Sequence, residues 1–138
     1  MNLLIEQKKN TPKVSGDSTN SILVIEGSSF PENVRKFYDP VNDWLDSVVK
    51  KTSTLNIDCK FYYMASSSVI AILKTLQYAE RLFGKSNISI KWRYEEDDDD
   101  IRKIGEDFSH LLGVEFEYIE EPEEEKRKLF IQKKPIPN

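Results

Sequence analysis

Cysteine is nearly absent from this 138-residue chain: only Cys59 occurs, so no disulfide can close within it, and the cytosol is the expected compartment. Histidine is as scarce. His110 stands alone, with no cysteine or second histidine to complete a metal site or a catalytic triad. None of the five glycines falls in a phosphate-loop or dinucleotide-fingerprint spacing. No apolar run approaches the roughly 20 residues needed to cross a bilayer, and the opening MNLLIEQKKN lacks the long apolar core of a signal peptide. Basic excess is missing too. The net charge is −4, which argues against a nucleic-acid backbone as partner.

What is present suits one domain with a charged surface. The apolar fraction is 38% and the charged fraction 32%, enough for a core with a heavily solvated exterior. Residues 1–120 carry the periodic patterns and read as one domain. Residues 121–138, EPEEEKRKLFIQKKPIPN, are charged and end in prolines, and read as a mostly flexible tail.

Along the chain, TPKVSGDSTN has room for an edge strand and a polar turn over Asp17–Asn20, and SILVIEG reads as a strand. Val34, Phe37, Tyr38, Val41, Trp44, Leu45 and Val48 recur at helical spacing, with a break or kink expected at Pro40 and Asp39 as the cap of the main piece. LNIDCKFYYM alternates, placing Leu55, Ile57, Cys59, Phe61 and Tyr63 on one strand face. Val69, Ile72, Leu73, Leu76, Ala79, Leu82 and Phe83 mark a helix that stops at Gly84. ISIKWRY alternates again. A third helical pattern from Ile101 to Leu112 ends at Gly113, and VEFEYIE is a last strand. Strands alternating with helices imply crossover connections and an α/β fold, with Leu55–Tyr63 and Ile88–Tyr94 as adjacent parallel strands. Tyr63, Leu73 and Trp92 are expected in its core.

Two stretches carry candidate chemistry. Glu95–Asp100, EEDDDD, precedes the third helix, where carboxylates favour the free N–H groups and the positive end of the dipole. Asp97, Asp98, Asp99 and Asp100 are thus helix-capping or docking residues, with Asp99 or Asp100 expected as the cap. The run lacks the alternating ligands and central glycine of a calcium loop. Cys59, on the apolar strand face, reads as a buried inert thiol.

The second stretch is Ser66-Ser67-Ser68, at the junction of a strand and a helix. A helix needs one capping side chain, so a serine here is expected to cap. The others are candidates for catalysis or modification. Catalysis lacks a base and the glycines of a nucleophile elbow. Modification fits better, because a helix N-terminus favours an added dianion.

TPKV followed by LVIEGSSFPENVRKFYDPVNDWL, YYMASSSVIAIL, and IKWRYEEDDDDIRKIGEDF together resemble the SiaC-type regulatory phosphoproteins of bacteria over roughly residues 11–119. The resemblance implies a single-domain mixed sheet with helices packed on it, like the anti-sigma-factor antagonists (STAS-like). It also implies a non-enzymatic signalling protein with no catalytic residue, metal or cofactor. Its partners would be a Ser/Thr kinase, a PP2C-type phosphatase and, in the unphosphorylated form, a diguanylate cyclase that raises cyclic di-GMP. Ser66 falls on the phospho-acceptor position, where the family commonly has threonine. Ala65 stands in place of asparagine, and Ile70 where lysine is common. Ala65, Ser66, Ser67 and Ile70 are therefore the expected partner-binding residues. Two other functions fit the residues: an acidic domain binding a metal such as Mg²⁺ or a small ligand, and a constitutive STAS-like scaffold that does not switch.

Overall fold

A computed structural model describes residues 2–123. Six strands form one sheet in the order β1-β2-β3-β4-β5-β6: β1 (Leu3–Ile5), β2 (Lys13–Asp17), β3 (Ile22–Ser29), β4 (Leu55–Met64), β5 (Ile88–Glu95) and β6 (Glu117–Glu121). The first three run antiparallel, and β3 to β6 are parallel neighbours. The parallel pairs are joined by α1 (Val34–Val48), α2 (Ser66–Phe83) and α3 (Asp99–Leu112). Because each crossover steps one strand in the same direction, right-handed connections put all three helices on one face. That face carries one continuous core, including Leu23, Ile25, Ile57, Cys59, Ile90 and Trp92.

The opposite face is polar. Arg93 Nε donates to Asp58 Oδ1 at 2.9 Å, and its guanidinium lies 3.4 Å from Glu121 and 3.7 Å from Glu26. Lys60 Nζ meets Glu121 Oε1 at 2.7 Å, and this hydrogen bond holds the Glu121 carboxyl below its ordinary range. Glu121, assigned from sequence to the tail, thus stands in β6. The remainder of that tail beyond Glu123 lies outside the described residues.

The adjacent parallel placement of Leu55–Tyr63 and Ile88–Tyr94 is as expected. Five details differ. β1 had no separate signal in its three residues, and it leaves β2 inside the sheet rather than at its edge. Helix α1 continues through Pro40, and its cap is Asn33, whose side chain accepts from Lys36 N, not Asp39. The helix loses the bond that residue 40 would donate. Tyr38, Val41, Trp44, Leu45 and Val48, all buried, keep both sides of the proline on the core. Tyr63 is exposed, because Gly27 pairs with Phe61 while Ser28 pairs with Tyr63. Tyr62 is the extra residue of this bulge, and beyond it the alternation changes phase, turning Met64 inward and Tyr63 out. Gly27 sits at the shift with φ +140, and a Cβ there would meet Pro12 Cα at 3.0 Å. Leu73 is only partly buried, since the buried stripe of α2 runs through Ser68, Ile72, Thr75, Leu76, Ala79 and Phe83. Trp92 is fully buried, as expected.

Candidate functional site

The three serines follow the C-terminal end of β4, an interior strand, and form the first turn of α2. The cap position belongs to Ala65, in extended conformation, and no side chain caps the helix. The expectation of a capping serine is therefore wrong. The chain enters helical geometry one residue earlier than a serine cap requires, so all three hydroxyls lie inside the helix. The backbone supplies part of what a cap would: Ala65 O accepts from Ser68 N at 2.9 Å and from Val69 N at 3.0 Å. Among the described residues, nothing accepts from the N–H groups of Ser66 and Ser67.

The serines divide sharply by surroundings. Ser66 and Ser67 are exposed, whereas Ser68 is completely buried. Ser29 Oγ, at the end of β3, donates to Ser68 Oγ at 2.8 Å and shares a 2.7 Å hydrogen bond with Tyr38 Oη of α1. With Tyr38 as donor, three hydroxyls form a chain joining α1, β3 and α2. Burial pushes the Tyr38 phenol up, so it keeps its proton for that role. Ser29 O also accepts from Ala65 N at 2.9 Å, fixing the junction a second time. Ser68 is thus a structural residue. Ser68→Ala is expected to lower stability by about 1 kcal/mol, read as a urea midpoint shift with unchanged slope, by leaving Ser29 one partner short in the interior.

Apolar surface flanks the exposed pair. Phe30 and Tyr63 extend from the ends of β3 and β4 and pack edge to face, 5.7 Å between centroids, yet are 39% and 54% exposed. Ile70, one turn into α2, is 56% exposed. Of the expected partner-binding residues, Ser66, Ser67 and Ile70 are at the surface and Ala65 is half-buried. Phe30 and Tyr63 escaped sequence reading. Phe30 resembles any loop aromatic, and the exposure of Tyr63 depends on the bulge. Between α1 and α2 lies a groove of about 360 Å³ that includes Ser67 and Ile70 among its walls.

The acidic run leaves β5, parallel neighbour of β4, so it stands at the same end of the sheet as the serines. The cap of α3 is Asp98, whose side chain accepts from Ile101 N at 3.1 Å; it is neither Asp99 nor Asp100. Asp97 adopts a left-handed φ of 68, and Asp98 N donates to Glu95 O, closing a turn that delays the helix start to Asp99. Asp99 and Asp100 occupy the first helical turn, with Asp99 3.6 Å from Arg102. Asp98→Ala is expected to cost about 1 kcal/mol, and Asp100→Ala only a few tenths, measured by thermal melting. Among the described residues no group of three or more His, Cys, Asp or Glu is placed to hold a metal. Cys59 is buried, and its thiol is pushed up chiefly by desolvation. His110 is exposed in the last turn of α3.

A mixed α/β sheet with three helices on one face, and an exposed hydroxyl pair at a strand–helix junction, places the chain in the α/β class. The chain belongs to the SiaC family of regulatory phosphoproteins, whose profile matches residues 5–121. An uncharacterized protein of Pseudomonas aeruginosa strain UCBPP-PA14 is 27% identical over 116 residues, which covers 83% of this chain and 92% of that relative. The fold is shared with apo-SiaC of Pseudomonas aeruginosa, at TM-score 0.74, 23% identity, and coverage of 86% of this chain and 98% of the other. It is also shared with a chain in the crystal structure of the diguanylate cyclase SiaD in complex with its activator SiaC from Pseudomonas aeruginosa. There the TM-score is 0.79 with 24% identity, and 86% of this chain and 99% of the matched chain are covered. No helix among the described residues is long and apolar enough to cross a membrane.

Proposed function

We propose that this chain is a non-enzymatic cytoplasmic signalling protein that binds and activates a diguanylate cyclase when unphosphorylated. A Ser/Thr kinase modifies Ser66 and a PP2C-type phosphatase restores it. Membership of a regulatory phosphoprotein family supports this reading, as does the activation of SiaD by its partner SiaC in Pseudomonas aeruginosa. The observation that carries it is the exposed Ser66 hydroxyl at a junction bordered by the exposed apolar side chains of Phe30, Tyr63 and Ile70. Apolar surface of this kind suits an interface core, and a hydroxyl within it is a place where added charge acts strongly.

The N–H groups of Ser66 and Ser67, without an acceptor among the described residues, give a phosphate local donors, so modification need not unfold the helix. Serine replaces the threonine common in the family without loss of the nucleophilic oxygen. The test is cyclic di-GMP synthesis by the diguanylate cyclase encoded nearest this chain's gene, with and without the purified protein. Stimulation that Tyr63→Glu removes is expected. No binding and no stimulation would overturn the reading.

A further inference from the structure

Helices α1 and α2 leave the same end of the sheet, and the groove between them is lined on one side by Ser67, Ile70 and Lys74. Ser67 belongs to this groove and Ser66 does not. On the α1 wall stands Arg35. Arg35 and Ser67 each lie in the first turn of their helices, and both line the groove. Lys74 lies seven residues below Ser67, about 10.5 Å along the axis and on nearly the same face. Side chains of helical residues lean toward the helix N-terminus, the direction of Ser67 from Lys74. Both cations are exposed, and among the described residues neither has an ion-pair partner. Asn42, also in the groove, has a buried Oδ1 with no hydrogen-bond partner among the described residues. Asp39 also lines the α1 wall, one turn beyond Arg35.

We infer that Ser67 is a second phosphorylation site, whose phosphate is held inside the α1–α2 groove by Arg35 and Lys74. The inference rests on the reading of this junction as a kinase substrate. In the transfer, Ser67 Oγ bonds to the γ-phosphorus of a nucleoside triphosphate. The bond to the diphosphate leaving group breaks, and the hydroxyl proton passes to the kinase's base. The two marks then act differently. A phosphate on Ser66 adds charge at the outer surface, whereas one on Ser67 fills the groove and neutralises its cations.

Phosphoserine installed genetically at position 67 or at position 66 of the full chain separates them. By phosphorus NMR titration, the phosphate at 67 is expected to lose its second proton roughly one pH unit lower than the one at 66. Arg35→Gln combined with Lys74→Gln is expected to remove that difference. Equal titration at both positions, unmoved by the double substitution, would overturn capture in the groove. Occupancy is read from the tryptic peptide Phe61–Lys74 of protein taken from its own cells, fragmented to place the phosphate. Phosphate on Ser67 is expected. Phosphate on Ser66 alone would overturn the second site and leave the proposed switch standing, and phosphate on neither residue would overturn both.

Discussion

Phosphorylation of Ser66 is expected to weaken partner binding at least about a hundredfold, which corresponds to roughly 2.7 kcal/mol. The modification adds about two negative charges to a chain that already carries −4, at the turn from β4 into α2. In the free protein the phosphate stands in water with backbone N–H donors beside it, and costs little. An interface that closes over Phe30, Tyr63 and Ile70 removes that water. A charge left unpaired there loses several kcal/mol of solvation, more than a single contact returns. Ser66→Ala is expected to bind like the wild type and to carry no phosphate at position 66. Ser66→Asp is expected to lie between the two, because a carboxylate carries one charge and fewer acceptor oxygens. Ser68→Ala is expected to leave the ratio between modified and unmodified protein unchanged, since its hydroxyl is buried beneath the site. Titration calorimetry of all forms at one salt concentration makes the comparison. Equal affinities for wild type, Ser66→Asp and the phosphoprotein would remove Ser66 from the switch.

Gly105→Ala is expected to destabilise the fold by about 3 kcal/mol, a large effect for one methyl group. A Cβ at position 105 of α3 would lie 2.4 Å from Cδ1 and Nε1 of Trp92 and 2.7 Å from its Cγ. The indole cannot retreat. It is fully buried, with Phe61, Phe108 and Phe116 at centroid distances of 5.7, 5.5 and 6.0 Å, and its Nε1 donates to Ile101 O at 2.9 Å. Helix α3 would have to lift from β5, and the acidic turn that precedes it would move as well. The melting midpoint should fall by on the order of 10 °C. Trp92→Leu vacates the space, so in that background Gly105→Ala is expected to cost much less than in the wild type. A midpoint within 2 °C of the wild type for Gly105→Ala alone, about the effect of half a kcal/mol, would show that α3 does not seat its glycine on the indole.

The alternation of Leu55, Ile57, Cys59 and Phe61, and of Ile88, Ile90, Trp92 and Tyr94, was legible because side chains on a strand change face at every residue, a local property. So were the apolar faces of the three helices, the ends at Gly84 and Gly113, and the parallel crossover between β4 and β5. The motifs that carried the family resemblance lie within the residues the family profile matches. Other features depend on partners distant in the chain. Tyr63 turns outward because Gly27 and Ser28, some 35 residues earlier, pair out of step with β4. Four consecutive aspartates show that a cap is available, but which one caps is decided by backbone angles at Asp97 and Asp98. Pro40 is a helix breaker by local rule, and it is carried inside α1 by burial on both sides of it. The serine triplet shows the same division most plainly. Composition and order place three hydroxyls where a strand becomes a helix. Only the packing of Ser29 and Tyr38 against that turn buries Ser68 and leaves Ser66 and Ser67 facing outward, since a 100° rotation per helical residue sends neighbouring side chains in different directions while the fold chooses which direction is the interior.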